Sequence, residues 1–439
     1  MTGRKRIMGN RWTAMTAIAI LALVARGADA DWTVTPRGSV SLNEGGVTGI
    51  QEFSGVTYMG PAAGGLERFA AIQDSGNQLV TFDVSFSGNG TLNSAQAISA
   101  RSLAPGSDDE GIVFTGRTRN TVFVSEETTP GVHEHNLATG ARLQTVTLSS
   151  VFGTRRSNRG FESLTRSLSG GVMWTANEEA LTIDGPTSTP ALGTIVRLQR
   201  MLDDGAKTTA GPQYAYRVEP VHAGGTSPAS GLVDLVMLPD DTLLSLERSA
   251  NTSLPPFRSS IHKIRFDGAT DISGPEFDSG LASAAFNPVF KTELWSGQIG
   301  GAAGVGANVE GLTLGPALGN GRWLLLGVVD NGGSGATAVV SFELALAGAV
   351  AAGDYNRDGS VNKADYMLWK NTFGSTIALS ADGNGNNVID SADYTVWRNS
   401  TSDMDGAEAK AAVDRSASAP EPTTAVLGIL AMIVLATWR

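Results

Sequence analysis

The sequence contains no cysteine. That excludes a disulfide framework and a thiolate zinc site alike. With four histidines in 439 residues, any metal must be held by oxygen or imidazole. Basic residues are in deficit, 32 against 43 acids for a net charge of -11. Such a balance repels phosphate backbones and makes nucleic acid a poor partner. No Gly-x-Ser-x-Gly elbow is present, which disfavours an α/β-type serine hydrolase, and no Walker-type loop is found. Long apolar helical periods are missing as well. Glycine is abundant, 54 residues against an average share of about 7%. Many glycines without helical periodicity mean tight turns and short strands, hence an all-β chain. Hydrophobic residues make up 41%, enough for a sizeable core, and the length suits one large domain with accessories.

Both ends read as addresses. Arg4, Lys5, Arg6 and Arg11 precede an apolar run over 14–25 and Ala28-Asp29-Ala30, the order of a secretory signal peptide cleaved before Asp31. At the other end Ala419-Pro420-Glu421-Pro422 precedes an apolar run over 425–438 and a terminal Arg439. This resembles the PEP-CTERM sorting signal, which implies processing by an exosortase-type protease and delivery to the cell envelope or extracellular matrix. A simple C-terminal anchor is the alternative.

Residues 354–365 place oxygen ligands at the spacing of a calcium loop: Asp354, Asn356, Asp358, the Ser360 carbonyl, Asn362 and Asp365. Gly359 supplies the turn. The pattern recurs with Asp382, Asn384, Asn386, the Val388 carbonyl, Asp390 and Asp393, where Asn387 stands for the glycine. Each loop leads into a helix start with Tyr and Trp at i and i+3, Tyr366/Trp369 and Tyr394/Trp397. Two such stripes can pack about a pseudo-twofold axis. The segment 353–400 resembles a type I dockerin, which implies calcium-stabilised docking to a cohesin-like partner. Lys363-Ala364 and Ser391-Ala392 fall where dockerins select partners.

Between 31 and 347 one theme repeats: an acid or serine, a small residue, an aliphatic, then a strand ending in an acid. Ser54-Gly55-Val56 leads to Asp74, Glu110-Gly111-Ile112 to Glu126-Glu127, and Glu162-Ser163-Leu164 to Glu178-Glu179. Ser230-Gly231-Leu232 leads to Glu247-Arg248, and Glu310-Gly311-Leu312 to Asp330. Recurrence on this scale predicts a propeller, expected here with six blades, whose equivalent positions converge on one mouth of the channel. A ring of carboxylates there needs a cation or raised pKa values. Alternatively, each acid satisfies backbone amides in its own turn. His133 and His135 alternate along one strand and could chelate a metal, although an exposed outer strand is their expected home.

Asp109-Glu110-Gly111-Ile112, Gly160-Phe161-Glu162-Ser163-Leu164, Leu246-Glu247-Arg248 and Asn308-Val309-Glu310-Gly311-Leu312 resemble the phytase-like domain, described as having esterase-like activity of phytase. The resemblance implies a β-propeller and phosphoester hydrolysis. The first repeat departs from it, with Ser54 in place of Glu and Gln73-Asp74-Ser75 without a following arginine.

The expected organisation is a signal peptide (1–30), the propeller (31–347), a linker (348–352), the dockerin-like module (353–400), a second linker (401–419) and the sorting tail (420–439). One function is a secreted, metal-dependent phosphoesterase. Glu110, Glu162 and Glu310 would then line the channel with Glu126, Glu178, Glu247 and Asp330, some holding a divalent cation and one activating water. The others are a non-catalytic extracellular scaffold and an accessory of a polysaccharide-degrading assembly.

Overall fold

The computed structural model describes residues 32–401, apart from short stretches at 75, 106–107, 224–228, 253–255, 302–305, 320, 334–336, 347–351, 357–360, 377–379 and 385–387. Expectations for the signal peptide and the sorting tail lie outside the described residues. No described helix is long and apolar enough to cross a membrane.

The described residues open with β1 (Trp32–Asn43) and then build antiparallel units of four strands. The first holds β2 (Phe53–Pro61), β3 (Glu67–Gln73), β4 (Gln78–Phe86) and β5 (Leu92–Ser102). The second holds β6 (Asp109–Phe114), β7 (Thr121–Glu126), β8 (Gly131–Asn136) and β9 (Arg142–Val146). In the third are β10 (Thr165–Arg166), β11 (Val172–Ala176), β12 (Ile195–Asp203) and β13 (Thr208–Arg217). The fourth comprises β14 (Ala229–Met237), β15 (Leu243–Ala250), β16 (Phe257–Arg265) and β17 (Phe290–Gly297). The fifth takes β18 (Asn308–Gly319), β19 (Arg322–Asp330) and β20 (Ala338–Leu346), and is completed by β1. A short parallel contact, Leu42↔Ala95 and Asn43↔Gln96, fuses the fifth and first units into one eight-stranded sheet.

An apolar cluster fills every junction. Ala70 and Ile72 meet Ile112 and Val124 between units one and two. Phe123 and Val132 meet Leu164 and Met173 between two and three. Trp174 and Leu198 meet Leu232 and Leu235 at the next junction. Leu244 and Ile261 then meet Leu325 and Phe342, and Leu324 and Val328 return to Phe53 and Phe69. The circuit is closed, with five units among the described residues where the sequence suggested six. Strand alternation explains how one sheet serves two junctions. On β7, Val122 and Val124 face the first unit while Phe123 faces the third. Each fully buried side chain of this kind is worth about 1.5–3 kcal/mol.

His133 and His135 are correspondingly not on an exposed strand. β8 is the third strand of its unit, and both imidazoles are buried in it. His133 Nε2 lies 2.9 Å from Glu126, and His135 Nδ1 donates to the Gly140 carbonyl at 3.1 Å.

After the circuit come α1 (Lys363–Thr372) and α2 (Ser391–Ser400), each starting in a capping box, Asn362 with Asp365 and Asp390 with Asp393. Tyr366, Trp369, Tyr394 and Trp397 stack on one another, with Tyr366 5.1 Å from Trp397 and Trp369 5.0 Å from Tyr394. The near-equal distances are the pseudo-twofold relation expected from the repeated loops.

Candidate functional site

All five inner strands, or the turns leading into them, approach from one end. Each carries an acid or serine followed by glycine or serine. The small residue is required by close approach. A Cβ on Gly111 would stand 2.5 Å from the Leu164 nitrogen, and one on Gly311 would stand 3.0 Å from the Gly55 Cα. The inner strands therefore meet almost backbone to backbone and form a waist. Asp234 ties it, accepting from Leu312 N at 2.7 Å and Leu235 N at 2.8 Å. Burial holds its carboxyl well above the usual range.

Above the waist lies the acidic mouth. One carboxylate oxygen each from Glu110, Glu127 and Glu162 lie within 4.8 Å of one another, and a second trio, Asp74, Asp108 and Glu110, meets the same criterion. Glu110 belongs to both. Ser54 donates its hydroxyl to Glu110, and Gly160 N donates to Glu127 at 2.8 Å. Glu127 and Glu162 face each other directly within the first trio, and two carboxylates so close disfavour each other's charged form. Burial, aided by the neighbouring negative charges, pushes Glu110 and Glu162 well above the ordinary glutamate range. Burial likewise raises Asp74 to about 6, with Asp108 and Glu52 adding to it.

The other side of the mouth is internally neutralised. Arg248 Nη2 donates to Glu178 at 3.1 Å and to Glu310 at 2.9 Å, and Arg159 Nη1 donates to Glu178 at 2.8 Å. Asn308 bridges Glu310 at 3.0 Å and Asp330 at 2.9 Å. Burial still raises Glu310 to about 7 against the pull of Arg248.

Of the seven acids singled out in the sequence, Glu110, Glu162, Glu178, Glu310 and Asp330 are brought together here. Glu126 and Glu247 are not. Glu126 points into the junction with the first unit, against His133 at 2.9 Å and Arg142 at 3.6 Å. Glu247 accepts from Tyr216 and Lys291, both at 2.5 Å, and from Glu219 N at 2.8 Å. Glu127, Asp108, Arg159 and Arg248 were not singled out. Glu127 stood beside Glu126 in the same repeat, and strand alternation is what chooses between them.

In the C-terminal module the last ligand of each loop is fully buried. Asp365 accepts from Asn356 N at 3.0 Å and Asn362 N at 2.8 Å. Asp393 accepts from Gly383 N at 2.8 Å, Asn384 N at 3.1 Å and Asp390 N at 2.8 Å. Across the pseudo-twofold, Trp369 Nε1 donates to Asp390 O at 2.8 Å and Trp397 Nε1 to Asn362 O at 2.9 Å. Each helix thus holds the other helix's loop. The described donors are all oxygen, as a hard cation such as calcium requires. Asp358, Ser360 and Asn386 lie outside the described residues.

Residues 48–333 match the family model described as phytase-like, esterase-like activity of phytase, and residues 352–400 match the dockerin type I domain. Dockerin type I domains bind calcium and dock to cohesin-type partners, and the two modules together mark an extracellular, docking-capable protein. No curated protein matches the chain. Among solved structures it is similar to an endo-arabinase from Bacteroides thetaiotaomicron, at 12% identity and TM-score 0.37, covering 69% of this chain and 96% of that one. It is also similar to a protein of unknown function from Dyadobacter fermentans, at 10% identity and TM-score 0.34, covering 72% and 99%.

Proposed function

Because the chain belongs to the phytase-like family, we propose that its acidic mouth is the active site of a secreted, divalent-cation-dependent phosphoesterase. The observation that carries this reading is the buried trio Glu110, Glu127 and Glu162, extended through Glu110 to the half-buried Asp74 and Asp108. Among the described residues no lysine or arginine is bonded to Glu110, Glu127 or Glu162, whereas Glu178 and Glu310 have Arg248. An oxygen-only set with no basic side chain bonded to it suits a hard cation. A cation held there supplies charge neutralisation at a phosphoryl oxygen and acidifies bound water. Glu162, ionised once a cation is held beside it, is placed to take a proton from the attacking water. Arg248 keeps Glu178 and Glu310 engaged, and Arg159, on the mouth's rim, is 28% exposed and within reach of an anionic substrate. The propeller has five blades in this reading. Export by the N-terminal signal, docking of the calcium-loaded module to a cohesin-like partner, and exosortase-type processing of the tail place the enzyme at the cell envelope or in the matrix.

The test is Glu162→Gln, which keeps shape and removes charge. With calcium present, turnover of phosphomonoesters, inositol phosphates first, should fall roughly 10²–10⁴-fold, with calcium binding by the dockerin unchanged. If the parent protein binds calcium at the mouth yet hydrolyses no phosphomonoester, the catalytic reading fails and a binding scaffold remains.

A further inference from the structure

The glycine waist divides the channel, and the half below it is chemically unlike the mouth. It opens into a cup of about 350 Å³ to which every unit contributes an apolar side chain: Met59, Phe114, Leu164, Met237 and Leu314. No carboxylate is among the residues that line it, in a chain whose net charge is -11. Two arginines from adjacent units, Arg117 and Arg166, stand at its rim. Arg166 is held in place by Asp203 at 3.1 Å and the Thr115 carbonyl at 3.4 Å. Arg117 is exposed and donates to the Pro61 carbonyl at 2.8 Å, with no carboxylate against it among the described residues. Beside them Leu168 is 72% exposed.

A concave cavity that joins apolar side chains from every unit to a few convergent polar groups has the general form of a small-molecule site. Its volume falls in the lower part of the range of about 300–1,000 Å³ typical of such sites. Two hydroxyls within it already accept from backbone amides: Thr57 from Phe114 N at 3.0 Å, and Thr165 from Met237 N at 2.9 Å. What the cup offers a ligand is therefore apolar contact below and positive charge at the edge. A cation gains nothing there, and a fully polar anion would desolvate the apolar wall without compensation.

We propose that the cup is a second binding site, separate from the acidic mouth, for a small amphipathic anion: an apolar body in the cup and a carboxylate or similar group on Arg117 and Arg166. The site stands independently of the phosphoesterase reading, since the waist separates the two ends and the residues do not overlap.

Octanoate is the probe, with octylammonium of matched length as the charge control. Binding to the full chain is followed by methyl NMR of Met59 and Met237 and by calorimetry. Octanoate should shift both methyl signals saturably, and octylammonium should shift neither. Arg117→Glu and Leu168→Glu, both at exposed rim positions, should each weaken octanoate by at least about tenfold, ~1.4 kcal/mol, without changing calcium binding or any phosphomonoester turnover. Equal binding of the two probes, octanoate affinity unchanged in both variants, or no saturable shift of either methionine would overturn the proposal.

Discussion

Arg248 donates to Glu310 at 2.9 Å through the same nitrogen that serves Glu178, so one buried cation from the fourth unit holds acids from the third and the fifth. Removing it leaves two buried carboxylates short of their counter-charge. Arg248→Met should cost about 3–5 kcal/mol, the usual loss when one partner of a buried pair is deleted. Urea unfolding in chelator measures it. Adding Glu310→Gln should recover part of the loss, because Glu178 retains Arg159. A double variant no more stable than the single one would show that Glu310 does not depend on Arg248.

Without divalent ions, stability should fall as pH rises above neutrality's lower edge. Burial raises Glu310 and Asp109 each to about 7, against about 4.3 and 3.9 in an unfolded chain. A raised carboxyl stabilises fully below its unfolded value and loses that contribution as pH climbs through the folded value. His133, held down to about 4 by burial, works oppositely but only up to its unfolded value of about 6.5. From there to pH 8 the carboxyls decide. Calorimetry in chelator should show a falling Tm across that window. A flat or rising Tm in chelator would contradict it.

How much of this was legible depended on alternation and on bulges. The Glu110-Gly111-Ile112 and Glu310-Gly311-Leu312 phrases located the inner strands, because acid, close approach and aliphatic core each need a distinct residue type. They did not say which of Glu126 and Glu127 turns to the mouth, since a register shift between Asp109 and Ile112 sits opposite that choice. Glu247 was misplaced for the same cause, the fourth unit shifting between Leu232 and Asp234. Arg248 was quoted in its motif, yet nothing in one sequence says that it spans two neighbouring units. The repeated phrases number five, as do the units among the described residues, while long insertions in the third and fourth, including the segments 178–194 and 267–289, hide the unit length.

The waist predicts a sharp contrast between glycines. Gly111→Ala drives a Cβ to 2.5 Å from the backbone of Leu164 and Ser163, where no flexible side chain can yield. It should cost about 1–3 kcal/mol or more, as overpacking does. Gly171→Ala meets nothing within 4 Å and should be near neutral. Chemical denaturation of both variants is the comparison, and equal midpoints would mean that the inner strands have room to separate.

In the dockerin module, Asp393→Ala removes the acceptor for three loop amides and half of a capping box. Loss of such a cap costs about 0.5–2 kcal/mol. Calcium titration followed by tryptophan fluorescence should show the second loop weakened and the first, closed by Asp365, retained. Two sites of unchanged affinity would remove Asp393 from the ligand set.

Because β1 pairs with β20, Trp32 against Leu346, the first of the described strands waits for the last before its long edge is paired. This is a contact of very high sequence separation, and such contacts slow folding through the entropy of closing the intervening loop. A growing chain can assemble four units early but must leave the outer edge of the fifth open until residues 338–346 arrive, and open strand edges recruit other chains. The circuit is thus completed only when β20 is available, and a break anywhere between the two strands would leave an adhesive fragment instead of a smaller propeller.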